Sequence, residues 1–146
     1  MDDDVAKELN ERAKAVMAEE RWREAIEIIE AEPKLLEADA SLSWNLGWAY
    51  FKLDDYVSAE RHLAHASRLQ PGLAAAWWAL GEVQRVAGRY ADAERNLKRA
   101  LELRDGALRR LSLAITLMKQ GRFAEAEQVH LKGLELKPES GERWRN

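Results

Sequence analysis

Three histidines and six tryptophans are the side chains of this 146-residue sequence best suited to metal chemistry or recognition. His62 and His65 stand three apart, a spacing that sets two imidazoles on one helix face and could in principle ligate a metal. No third histidine or convergent carboxylate is placed to complete the site, so both are expected to be solvated on an outer face. His130 falls on a core-facing place and is expected to pack. With no cysteine, the sequence holds no thiolate metal site, disulfide or cysteine nucleophile. Serine is sparse and has no base spaced to activate it, and no strand precedes a glycine to build a phosphate loop. The reading is a non-enzyme with no cofactor and no metal. The tryptophans say more. Trp44 and Trp48 are i, i+4 neighbours on one helix face, and Trp78 follows Trp44 by 34 residues.

The elements that carry these side chains follow from self-similarity. Gly88-Arg89-Tyr90-Ala91-Asp92-Ala93-Glu94 returns 33 residues later as Gly121-Arg122-Phe123-Ala124-Glu125-Ala126-Glu127, and Leu46-Gly47 returns after 34 as Leu80-Gly81. Such a period marks a helical repeat array. Aligning on the turn divides the chain, as a single domain 1–146, into units 6–39, 40–73, 74–106 and 107–140. Each unit reads as two amphipathic helices. Residues 74–87 carry Trp77, Leu80, Val83 and Val86 at helical spacing, Gly88 ends that helix, and a second runs over about 90–103. Neither helix of a pair can bury its apolar stripe alone, so stacked pairs must share one core. Pro33 is expected to end the second helix of the first unit early. Residues 139–145 read as a C-terminal capping helix or the start of a fifth repeat.

The pattern resembles the tetratricopeptide repeat over roughly residues 6–140. Leu46, Gly47, Tyr50, Ala59, Ala66 and Pro71 carry it in the second unit; Trp77, Leu80, Gly81, Tyr90, Ala93 and Ala100 carry it in the third. The fourth keeps Phe123, Ala126 and Pro138 but has Arg110, Ala114 and Gly133 where Trp, Gly and Ala are usual. The first keeps Ala13, Trp22 and Ala25. The resemblance implies an all-α, right-handed superhelical α-solenoid. It puts Gly47, Gly81, Ala59 and Ala93 where paired helices cross, and Trp22, Trp77 and Trp144 between helices.

It also implies that the first helices line a concave groove that takes ligand peptides. On that face the sequence sets Trp44, Asn45, Trp48, Phe51 and Lys52, then Trp78, Glu82 and Arg85, then Leu108, Leu111, Ile115 and Met118. Lys7, Asn10 and Lys14 are the first unit's share. A contiguous apolar face of this kind points to a binding surface, the alternative being that the first unit or the C-terminal segment folds over it and makes it core, and tryptophan is enriched among interface hot spots. Lys14, Lys52, Arg85 and Lys119 are placed to ring the aromatics, which suits a partly acidic, apolar ligand. The partner is expected to be a protein segment, extended or helical, with Lys52, Glu82 and Arg85 setting its register. Alternatives are homo-oligomerisation through the same patch and a secretion-type chaperone for hydrophobic partners. Some family members clamp a chaperone's terminal carboxylate with lysine, asparagine and arginine. Here Asn45 matches, but Asn10 stands at the first lysine's place and Ala75 and Ala79 replace the distal basic pair.

Bulk properties agree. Hydrophobic residues make up 47% and charged ones 34%, the balance of a folded rather than a disordered chain. A net charge of −3 gives no field to attract nucleic acid. No apolar run nears the ~20 residues that span a bilayer. The start, Met1-Asp2-Asp3-Asp4, is acidic where a secretory signal is basic and then apolar. A cytoplasmic protein is the expectation.

Overall fold

The computed structural model describes residues 2–136, which form nine helices and no strand. The expectations for 139–145 and Trp144 lie outside the described residues. The helices are α1 (Asp2–Ala18), α2 (Trp22–Glu30), α3 (Pro33–Ala38), α4 (Ala40–Lys52), α5 (Tyr56–Leu69), α6 (Ala74–Val86), α7 (Tyr90–Leu103), α8 (Ala107–Lys119) and α9 (Phe123–Glu135). None is long and apolar enough to cross a membrane. Pro33 acts as its chemistry requires: α2 stops at Glu30, and proline opens the short α3 from a first-turn position where its missing N–H is harmless.

Four tight turns join the helices of each pair, and one place in all four has positive φ: Glu20 at 60°, Asp54 at 64°, Gly88 at 85° and Gly121 at 78°. The left-handed residue reverses the chain so that the next helix folds back on the last. Asp39 and Asp55 cap α4 and α5 by accepting from the N–H groups of Leu42 and Ser58.

Within a pair the helices cross where a side chain is missing. A Cβ added to Gly81 would lie 2.7 Å from Leu97 Cγ, and one on Gly47 would lie 2.7 Å from Leu63 Cγ and 3.1 Å from the Ala59 carbonyl. The leucines fill the space and are fully buried. Each such leucine stabilises by about 1.5–3 kcal/mol. Between pairs, Ala79, Leu80 and Val83 of α6 enter a socket with Ala59 and Leu63 of α5, while Leu113, Ala114 and Leu117 of α8 join Ala93 and Leu97 of α7. Successive first helices touch, α4 with α6 and α6 with α8, more closely than successive second helices do. The stack therefore curves with its first helices inside.

Candidate functional site

On that inner side α4 and α6 bring the predicted aromatics together. Trp44 and Trp48 stack with ring centroids 5.4 Å apart and planes 10° from parallel. Trp48 lies 5.4 Å from Trp78 across the unit boundary and 5.1 Å from Phe51. Phe51 in turn sits 5.9 Å from Tyr56. The Lys52 ammonium stands 5.3 Å above the Trp48 ring, a cation–π distance, while remaining exposed.

The tryptophans are less free than an open groove implies. All three are half-buried. Trp44 donates its indole N–H to the Ala75 carbonyl at 3.0 Å, and Trp78 donates to Ser112 Oγ at 3.1 Å. Each ties its own helix to the next first helix. Trp48 differs: among the described residues its N–H makes no hydrogen bond, and that atom is not fully buried. Glu82 and Arg85 occupy the places that Trp48 and Phe51 hold one unit earlier, and they pair with each other through two hydrogen bonds of 3.2 and 2.9 Å. Their side chains are only 12% and 23% exposed.

Several expected site residues lie elsewhere. Asn45 is buried and donates its amide to Asn10 Oδ1 at 2.7 Å, so it welds α1 to α4 rather than facing a ligand. Asn10 in turn donates to Asp39 Oδ1 at 3.4 Å, so both buried asparagines are engaged within the protein. Lys14 lines a separate polar hollow of about 310 Å³ with Asp3, Lys7, Asn10, Glu11 and Asp39. Leu111 and Ile115 line an apolar hollow of about 340 Å³ with Ala114, Met118, Phe123, Ala126, Glu127 and His130 at the far end of the stack. They hold the places of Trp78 and Glu82 but have no following first helix among the described residues.

The histidine and tryptophan expectations need correcting too. His62 is half-buried and stacked 10° from parallel on Tyr50, 5.6 Å away, because the second helix leans on the first there. Burial, then the charge of Arg61, holds its pKa below the usual histidine value. His65 Nε2 lies 3.1 Å from the Glu37 carbonyl. His130 is exposed: it takes the place of the buried Leu97, but among the described residues no further helix closes over it. Trp77 is half-exposed and donates to the Pro71 carbonyl at 2.9 Å, so it braces its own entry turn instead of filling a core. No group of three His, Asp or Glu side chains among the described residues could hold a metal ion.

The sequence reading missed a charged latch between units. Glu60 of α5 pairs with Arg89 of the next turn, and Glu94 of α7 pairs with Arg122 at 2.5 Å. Gln84 and Gln120 join the two latches. Partial burial works against ionisation of Glu94, yet hydrogen bonds from Lys98, Gln120 and Arg122 hold its carboxyl down to about 2. The signal was in the repeat itself, since the glutamate and the arginine both recur at the repeat period.

Sequence models described as tetratricopeptide repeats match residues 45–107 and 86–146. None of the curated proteins matches the chain. Among solved structures, the crystal structure of MamA protein superposes with a TM-score of 0.82 at 24% identity, over 89% of this chain and 72% of that one. MamA 41-end from Desulfovibrio magneticus RS-1 gives 0.82 at 17% identity, over 90% and 75%. The first tetratricopeptide domain of Spaghetti (RPAP3), bound to an HSP90 peptide, gives 0.68 at 20%, over 84% and 90%. At these identities the likeness is one of fold.

Proposed function

Since the chain belongs to the tetratricopeptide repeat family, we propose that it is a non-catalytic scaffold that binds a protein segment along its inner face, with Trp48 as the anchor. The supporting observation is the Trp44–Trp48–Trp78–Phe51 cluster with Lys52 above its central ring. Neighbouring rings hold Trp48 in place, so a ligand meets a rigid aromatic surface with little side-chain entropy left to lose. The indole N–H, without an acceptor among the described residues, gives an acceptor-bearing segment one fixed contact, and the exposed ammonium favours an acidic residue beside an apolar one. A chaperone carboxylate clamp of the kind tested above is not proposed, because Asn45 is bonded to Asn10 and Ala75 and Ala79 offer no charge.

The test is selection of binding segments from a random 12-residue peptide library, followed by anisotropy titration of the selected peptides. Apolar–acidic sequences are expected, with affinity falling about tenfold or more for Trp48→Ala, as for an interface hot spot. Lys52→Glu should shift selection away from acidic peptides. Peptides that bind Trp48→Ala as well as the wild type would overturn the reading. So would a stable dimer by light scattering that Trp48→Glu dissociates.

A further inference from the structure

Trp44, Trp48 and Lys52 follow one another at four-residue steps along α4. Side chains so spaced lie one above the other on a helix, so the middle one is approached from both sides. Trp44 stacks on the Trp48 ring from one side, and the Lys52 ammonium stands over it from the other, 5.3 Å from its centre. Trp78 and Phe51 flank the ring, tilted by 30° and 48°. The carboxylates close to Lys52 in the chain are engaged elsewhere: Asp54 accepts from the Tyr56 hydroxyl, and Asp55 caps α5. Glu82, at the place of Trp48 one unit on, holds Arg85. Among the described residues Lys52 has no ion pair, and the ring is its partner. The places of Trp48 and Lys52 hold Glu82 with Val86 in α6 and Ile115 with Lys119 in α8, so neither helix repeats the arrangement.

Given the docking role proposed above, on which this rests, we infer that Lys52 is a lid on the Trp48 anchor. A carboxylate of the docking segment lifts it, so the segment must carry an acidic residue beside its apolar one. An apolar side chain alone would have to push the ammonium off the ring or bury it without a counter-charge, and either weakens binding. A carboxylate takes up the ammonium as an ion pair and leaves the ring face to the neighbouring apolar group. Charge and apolar contact are then coupled. An ion pair at the rim of the groove would instead add to the apolar contact independently.

The probes are the apolar–acidic peptides from the selection above, each also made with its acidic residue changed to the amide. Both forms are titrated into the full chain as wild type, Lys52→Ala and Trp48→Ala. The amide peptides are expected to bind Lys52→Ala about two- to fivefold more tightly than the wild type, the worth of an exposed cation–π contact. In the free chain the Lys52 Cε protons should be shifted upfield by the Trp48 ring, and should lose that shift in Trp48→Ala and on binding an acidic peptide. Amide peptides indifferent to Lys52→Ala, while Trp48→Ala still weakens them, would overturn the lid and leave the docking role standing. Lys52 protons without an upfield shift in the free chain would overturn the lid as well. Peptides that bind Trp48→Ala as well as the wild type would overturn the docking role itself, and the lid with it.

Discussion

Gly81 and Gly88 lie seven residues apart and are kept for opposite reasons. Gly88 has open space around it, and a methyl there would touch nothing within 4 Å, but its φ of +85° belongs to the left-handed region. Gly81 has ordinary helical backbone and no room. Gly88→Ala should therefore cost ~1 kcal/mol from backbone strain alone. Gly81→Ala should cost ~1–3 kcal/mol, because its Cβ drives into Leu97. Urea unfolding checks both, and a Gly81→Ala protein as stable as wild type would show that the crossing yields. The repeat marked both glycines as required. It could not show that a conformational need holds one and a steric need the other. The same limit applied to the tryptophans: their spacing placed them on one face, but whether an indole N–H finds a carbonyl depends on the neighbouring helix.

At the scale of the element, the helix pair is held by apolar crossing and the boundary between pairs by both packing and charge. The Glu94 latch makes the second contribution pH-dependent. A carboxyl held at about 2 in the folded chain, against an ordinary value near 4.3 when unfolded, adds stability that is complete above about pH 5. That stability falls away progressively as the pH drops from about 5 to about 2. Glu94→Gln should lower the melting temperature at pH 7 and flatten its acid dependence over that window; an unchanged acid slope would assign the latch no energetic role. Helix bounds in the third unit were readable because glycine and apolar spacing punctuate the chain. The short α3 was not: proline announced a break, but its use as the first residue of a new helix is set by how the chain must turn into α4.

For the whole molecule, the two ends differ. The outward face of α1 shows Glu8, Glu11 and Arg12, whereas α8 and α9 leave Leu108, Leu111, Met118, Phe123, Leu131 and Leu134 exposed. Among the described helices α9 packs substantially on α8 alone, while α6 touches α4, α5, α7 and α8. In a stack held by nearest neighbours, opening begins where neighbours are fewest. Among the helices longer than two turns, amide exchange should accordingly be slowest in α6 and fastest in α9, and an even profile along the stack would argue for one cooperative unit.

The sequence by itself determined the repeat, the helix-pair fold and the helix face on which Trp44, Trp48 and Trp78 stand, because helical periodicity and turn glycines are local properties of the chain. Only the tertiary structure decided what those side chains do. Trp44 and Trp78 fasten neighbouring units, Asn45 is locked to Asn10, and the Trp48 N–H makes no hydrogen bond among the described residues. It also decided that Leu111 and Ile115 line one hollow with Met118, Phe123, Glu127 and His130. The physical reason is that a repeat fixes where each side chain stands on its helix, whereas burial and hydrogen bonding depend on which helix comes next, and that differs from one unit to another.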